Sequence, residues 1–375
     1  MITAIDMIGT NLGSGTKTYN LNFCENLNKF KIKNKIYIFI TKDYLKKITR
    51  NDNSNVRYIV KSNFLKNIFL RILWMQLILP FELKFLKASQ LFSPMNIGPI
   101  SLKLFNIKFT LALHSNLPWV YFSKMPGSFL RNICTRTLME ISIRSCDRLI
   151  VDSEFAKNEI IKLLNLNEKK VFSVYLGIDK GYLSNKKNDL YLDNFDYKNY
   201  VISVLSCVRY HNIINLLKGF KLLKKEKNIN LKFVFVMQIL DQKYFNEIRK
   251  FVEMNFEKKE IIFLHNLDSR YLTNLYKNAK FYIFSSYCEV FGLTSLESMS
   301  QGCPVVISNR SALSEINSDA AEYFNPDDEN EIKDSMYKIL FEENYKNKLI
   351  EKSKIHYRKF NWEETVSKTL KILNY

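Results

Sequence analysis

The sequence predicts an α/β protein made of two doubly wound, parallel-sheet domains. Three observations carry this. Short apolar runs rich in Val, Ile and Phe alternate with amphipathic helical segments along the chain. The 375 residues suit two domains at roughly 100–200 residues each. A polar stretch, Ser184–Lys198, separates two blocks of the same alternation.

In the first block, Ile2–Ile8, Lys35–Ile40, Leu91–Ser93, Phe109–Leu113 and Arg148–Val151 read as strands. In the second, Tyr200–Leu205, Leu231–Met237, Ile261–Leu264, Phe281–Phe284 and Pro304–Ile307 read as buried strands. Ile213–Lys224, Gln242–Met254 and Ser269–Asn278 are the helices between them. Strand–helix–strand alternation at this spacing gives parallel sheets with helices on both faces. A ligand is then expected in the cleft beyond the carboxyl ends of the strands. The boundaries expected are 1–183 for the first domain, 184–198 for the linker and 199–360 for the second domain. A last helix over 361–375 opens on Asn361-Trp362-Glu363-Glu364, which reads as a capping box.

Composition narrows the function. Hydrophobic residues at 47% and charged residues at 25% exclude a mainly disordered chain. The most apolar run, Ile72–Phe81, is bracketed by Arg71 and Glu82 and interrupted by Gln76 and Pro80. It is too short for the roughly 20 apolar residues of a spanning helix. Met1–Asp6 lacks the features of a secretory leader, so a cytoplasmic location is expected. The six cysteines include no C-x-x-C pair and no metal-knuckle spacing, so they are expected to be buried, reduced thiols.

The net charge of +19 calls for an anionic partner. Residues 1–180 hold 27 Lys and Arg against 12 Asp and Glu, a net of +15, whereas residues 181–375 hold 29 against 25, a net of +4. The excess charge marks the first half as a docking surface. Within it, Asn63–Lys87 mixes Phe64, Phe69, Leu73 and Trp74 with lysines. Such a segment is either a helix lying on an anionic membrane surface or an ordinary helix packed on the sheet.

The richest chemistry lies in Phe284–Asn309. A strand ends near Phe284, a loop follows, a helix starts near Leu293, and Gly302 ends it. The amides around Gly292–Thr294 then lie at a helix N-terminus, an anion site that Gly292 lets a phosphate approach closely. Glu297 sits one turn into the helix and Glu289 in the preceding loop. A carboxylate accepts hydrogen bonds from a vicinal diol such as ribose. A nucleoside-diphosphate sugar fits this set. The plainer alternative is that Glu297 complements the helix dipole and Glu289 is a solvated loop charge.

The order of residues sharpens the choice. Glu289 and Glu297 bracket Phe291-Gly292-Leu293. Gln301-Gly302-Cys303-Pro304-Val305-Val306 follows, then Ser314-Glu315 and Asp319-Ala320-Ala321. This resembles the retaining glycosyltransferases of family 4, which have the two-domain GT-B fold. Further likenesses are Gly13-Ser14-Gly15-Thr16 after the first strand and Ser93-Pro94, Asn96 and Gly98-Pro99 before the strand that His114 closes. Cys146–Phe155 and Leu176-Gly177-Ile178-Asp179 extend the likeness.

The resemblance implies two Rossmann-like domains facing each other across a cleft. The first binds the acceptor and the second a nucleotide-sugar donor. It implies catalytic roles for Glu289, His114 and Arg209. Glu297, Phe291, Gly292, Leu293, Thr294, His211 and Gly15 would bind the donor. Glu297 would hold the ribose, Glu289 the donor sugar, and Arg209 with the Gly292–Thr294 amides the diphosphate. Gly15 is expected in a loop that lets a sugar approach the backbone. The last helix would pack back on the first domain. No cofactor and no metal are expected, since no Asp-x-Asp ends a strand. The implied acceptor is a saccharide, lipid-linked, at the inner face of a bacterial membrane in surface-polysaccharide synthesis.

Three departures stand out. Val290 replaces a usual Gly. Ser115 replaces the usual Asp after His114, which leaves the orientation of that ring open. In Ser206–Asn212, Arg209 is present but His211 stands where Lys is expected. An imidazole titrates near about 6.5 in water, so His211 would assist a departing diphosphate when protonated and less above neutral pH; the alternative is a structural His in a turn. Two other functions stay open. An inactive sugar-nucleotide-binding partner would tolerate the missing Lys. A basic nucleic-acid-binding protein would explain the charge, although no nucleic-acid motif is present and no nucleic-acid partner is expected.

Overall fold

The structure, a computed structural model, describes residues 2–9, 14–48, 53–183, 192–193, 195–265, 267 and 269–374. The chain forms two units. One comprises Met1–Trp119, Phe129–Gly177 and Phe360–Tyr375, and the other Val120–Ser128 and Ile178–Lys359.

The first unit holds β1 (Ile2–Asp6), β2 (Lys35–Thr41), β3 (Val56–Lys61), β4 (Gln90–Ser93), β5 (Lys108–Leu113), β6 (Arg148–Val151) and β7 (Val171–Ser173). All pair in parallel, in the order β3-β2-β1-β4-β5-β6-β7. The second holds β8 (Tyr200–Cys207), β9 (Lys232–Ile239), β10 (Ile261–His265), β11 (Tyr282–Phe284), β12 (Val305–Ser308) and β13 (Glu322–Phe324). These too are parallel, in the order β10-β9-β8-β11-β12-β13. In each sheet the strand order reverses once, beside β1 and β4 in the first and beside β8 and β11 in the second. Loops at the carboxyl ends there are the natural ligand sites of open α/β sheets.

The sequence pattern explains the layers. Ala4 and Ile5 of β1, and Val201, Ile202, Phe233 and Phe235 of β8 and β9, are wholly buried. Continuous apolar strands of this kind need cover on both faces. Stacking of Phe233 on Phe235, with centroids 4.1 Å apart, fills part of that cover in the second unit.

The structure differs from the sequence expectation in several places. β3, β7 and β13 are additional strands. β7 and β13 have three residues each, too few to show a period, and β3 is an edge strand with only Val56 buried. The change of unit falls at Gly177, ahead of the expected linker, of which residues 184–191 and 194 lie outside the described residues. Residues 120–128 go with the second unit, where Tyr121 lies 5.8 Å from Tyr287. Five cysteines are buried, but Cys134 is exposed.

The last helix, Trp362–Ile372, belongs to the first unit. Asn361 caps it by accepting a 2.8 Å hydrogen bond from the Glu364 amide. Thr365 donates to the Tyr175 carbonyl at 2.7 Å, and Gln90 donates to the Leu373 carbonyl at 2.8 Å. A Cβ on Gly177 would stand 2.2 Å from the Trp362 nitrogen, so glycine is needed there for the close approach.

Candidate active site

Two loops of the second unit form the core of the site, one after β8 and one after β11. The first closes in a 3-10 turn, Arg209–His211. The Ser285 hydroxyl, buried at the end of β11, donates to the His211 carbonyl at 2.7 Å and ties the loops together. The Tyr287 amide adds a 2.9 Å bond to the Tyr210 carbonyl.

His211 is buried, its ring 5.1 Å from that of Phe284. Its Nδ1 lies 2.6 Å from the Ser206 carbonyl and its Nε2 3.2 Å from Glu289 Oε1. A carbonyl only accepts, and so does a carboxylate. Both contacts are hydrogen bonds at once only if the ring carries two protons. Glu289 is fixed from its backbone, its amide donating to Ser311 Oγ at 2.9 Å and its carbonyl accepting from the Ala312 amide at 3.2 Å.

Three residues on, Gly292 precedes the helix Leu293–Ser300 with φ 93° and ψ 49°. A Cβ there would meet Leu313 Cδ2 at 2.7 Å, so both the conformation and the space require glycine. The first amides of the helix have no carbonyl within it to bond. Phe291 is buried beneath the turn, and Leu293 is half-buried at its start. Thr294 turns inward, its hydroxyl 2.7 Å from the Tyr282 hydroxyl, so it braces the helix on the sheet.

Glu297 is partly buried on the same helix. Burial, helped by the neighbouring Asp179 charge, pushes its carboxyl up to about 7, while Tyr182 and Tyr276 pull it back. Asp179 lies in a stretch that the sequence singles out. The two tyrosines give no local sign of this role.

Arg209 is placed differently from His211. Its guanidinium donates to both Glu247 oxygens, at 3.0 Å for one, lies 3.7 Å from Asp241 and rests over the Tyr244 ring. It is engaged with the helix Gln242–Asn255 and its Asp241 cap, not with Glu289.

In the first unit, His114 follows β5 and Asp152 follows β6. The register pairs Leu113 with Val151, which brings the two side chains together. His114 Nδ1 lies 3.0 Å from each oxygen of Asp152. Its amide donates to Asn96 Oδ1 at 2.6 Å, and the Tyr19 ring lies 4.6 Å from its own. Its Nε2 is buried without a hydrogen-bond partner among the described residues. Ser115 thus costs the ring nothing in orientation, because Asp152 does that work from the next strand. Gly15 is not in a loop. It is the second residue of the helix Ser14–Leu27, exposed, with open space where a Cβ would stand. Gly13 lies outside the described residues.

Residues 190–356 match the family described as glycosyl transferases group 1, and residues 13–181 match glycosyltransferase family 4. The chain belongs to this family of glycosyltransferases. It is 26% identical over 220 residues to an O-antigen chain mannosyltransferase of Salmonella typhimurium, covering 59% of this chain and 57% of that protein. It is 24% identical over 233 residues to O-antigen chain mannosyltransferase B of Escherichia coli, covering 61% of each. The chain thus spans about three fifths of the length of these relatives. A solved sucrose-phosphate synthase of Thermosynechococcus elongatus superposes with a TM-score of 0.73 at 15% identity, over 100% of this chain and 98% of that one. A glycosyltransferase of Rickettsia africae gives 0.71 at 16%, over 99% and 97%. The architecture is GT-B.

Proposed function

We propose that the protein is a retaining, metal-independent glycosyltransferase that moves a hexose from a nucleoside-diphosphate sugar to a lipid-linked saccharide. One observation carries this most: buried His211, paired with a half-buried Glu289, and Glu297 flank one helix N-terminus at the switch point of the second sheet. The amides of that terminus receive the diphosphate. Glu297 accepts from the ribose hydroxyls, and Glu289 contacts the donor sugar. The bond between the anomeric carbon and the diphosphate breaks, the acceptor oxygen bonds to that carbon, and the departing phosphate takes the acceptor's proton. Positive charge from His211 offsets the charge that develops on the leaving group. His114 accepts a hydrogen bond from the transferred sugar through Nε2.

The names of the relatives make mannose the first sugar to try and surface-polysaccharide synthesis the setting. No described helix is long and apolar enough to cross a membrane. A peripheral seat on the inner face of the plasma membrane fits a lipid-linked acceptor and the +15 first half.

The test is thermal stability with UDP, GDP, ADP and CDP sugars, beside Glu297→Ala. A ligand bound only by the native state raises stability by mass action. A shift with one base, lost in the variant, supports the donor site; no shift with any sugar overturns it. A second reading, an inactive sugar-nucleotide-binding partner, is favoured by the engagement of Arg209 with Glu247. Turnover that Glu289→Ala abolishes in a folded protein rejects it.

A further inference from the structure

Twelve of the 22 large apolar side chains exposed among the described residues fall within residues 60–105. Their arrangement is regular. Phe69, Leu73, Leu77, Phe81 and Phe85 recur every four residues, and each is more than half exposed. The opposite side, Arg71, Trp74, Met75, Leu79 and Leu83, is buried. The helices Ile68–Leu73 and Leu79–Phe85 are joined by a π turn, Trp74–Ile78. Pro80 accounts for that turn: it has no N–H, and its ring crowds the carbonyl of Gln76 four residues back. The wide turn has a consequence. In a regular α-helix a row spaced by four drifts steadily around the axis. The π turn reverses that drift, so five large apolar side chains stay on one face.

The face continues sideways. Phe105 packs edge-on to Phe81 at 5.1 Å, and Gln76 donates to the Gly98 carbonyl, which sets the 96–105 loop alongside the helices. Leu104, 85% exposed, extends the apolar surface there. An open apolar groove of about 420 Å³, lined by Phe39, Ile59, Phe81 and Phe85, borders it on the other side. Residues 61–108 hold seven Lys and Arg and one acid, Glu82. Glu82 is taken by Lys61 at 2.5 Å. Lys84, Lys87 and Lys103 are exposed around the apolar row.

We propose that this face, Ile68–Phe85 with the tip of the 102–105 turn, seats on an anionic lipid bilayer, the apolar row entering the acyl boundary and the lysines meeting headgroups. Charge decides the occupant. A protein partner would bury the lysines, a residue that interfaces exclude, whereas a bilayer lets them lie at headgroup level while the apolar side chains descend. The inference rests on the proposed transfer to a lipid-linked acceptor for its purpose and names the partner of that reaction's first unit.

The test is flotation of the full chain with vesicles of phosphatidylcholine alone and of phosphatidylcholine with phosphatidylglycerol. The expected result is binding to the anionic vesicles only. Replacing Phe69, Phe81 and Phe85 with Ser abolishes it. Replacing Lys84, Lys87 and Lys103 with Gln weakens it by on the order of a hundredfold. Equal binding of parent and serine variant, or none by either, overturns the proposal. So does a concentration-dependent dimer in vesicle-free solution that the serine variant loses, because a second copy then covers the face. Nucleotide-sugar protection is read on the same preparations. Protection without vesicle binding sinks this inference and spares the donor site; vesicle binding without protection does the reverse.

Discussion

His114 Nδ1 lies 3.0 Å from both carboxylate oxygens of Asp152, and this fixes Nε2 as the ring nitrogen without a partner among the described residues. The carboxylate accepts from Nδ1–H, which leaves Nε2 as the ring nitrogen available for the proposed bond to a sugar hydroxyl. Asp152→Asn can present an amide N–H to Nδ1 and invert the ring's tautomer. Turnover is expected to fall about 10- to 100-fold with the melting temperature little changed. His114→Ala should fall at least as far, and the double variant no further than His114→Ala alone. Independent, multiplying losses in steady-state kinetics would show that the two residues do not act as a unit.

Replacing His211 with Lys keeps a cation beside Glu289, 3.2 Å away in the parent, whereas His211→Gln removes it and keeps a polar side chain. Turnover is expected to survive in the Lys variant and to fall at least about 10-fold in the Gln variant. Steady-state kinetics of the two proteins decide; equal turnover in both would leave His211 a structural residue of the turn.

Glu297 sets a pH dependence of stability. Its folded carboxyl is raised from 4.5 to about 7, first by burial and then by Asp179. The folded protein therefore holds a proton there that the unfolded chain has released. That contribution to stability is complete below about pH 4.5 and is lost as pH rises through about 7. Glu297→Gln should be relatively more stable at pH 8 than at pH 5, compared with the parent, in denaturant titrations. A diol is best held by the ionised form, so donor binding by the parent should strengthen from pH 6 to pH 8. The Gln variant should bind weakly at both values by calorimetry.

Gly292→Ala places a Cβ 2.7 Å from Leu313 Cδ2 on a residue with φ 93°. The expected cost is about 1–3 kcal/mol of stability. Donor protection should fall out of proportion to that cost, since the turn also aims the helix amides. Full protection in a destabilised Ala variant would move the phosphate away from this turn.

Much of this arrangement was legible in the sequence because its signals are local. The β8 and β11 runs, the Gly292–Leu293 helix start and the Gly302 stop need only neighbouring residues. Gly302 does adopt a left-handed φ of 74°, as a helix stop of this kind requires. What stayed hidden depends on contacts distant in sequence. Asp152 reaches His114 only through the β5–β6 register. Tyr276 reaches Glu297 from another helix. Arg209 has a long side chain and pairs with Glu247, 38 residues away, a choice that no spacing rule reveals. The segment Asn63–Lys87 left two readings open because its local pattern fits either; in the structure one side is buried and the other exposed.

The placement of Trp362–Ile372 also has a bearing on biosynthesis. The first unit is translated up to Gly177 but lacks the helix that covers Gly177 and Gln90 until some 185 residues later. At about 5–20 residues per second the ribosome needs roughly 10–40 s to supply it. The second unit can finish first, although its sequence comes later. The earlier half waits, incompletely covered, and that interval is when a chaperone has most to bind.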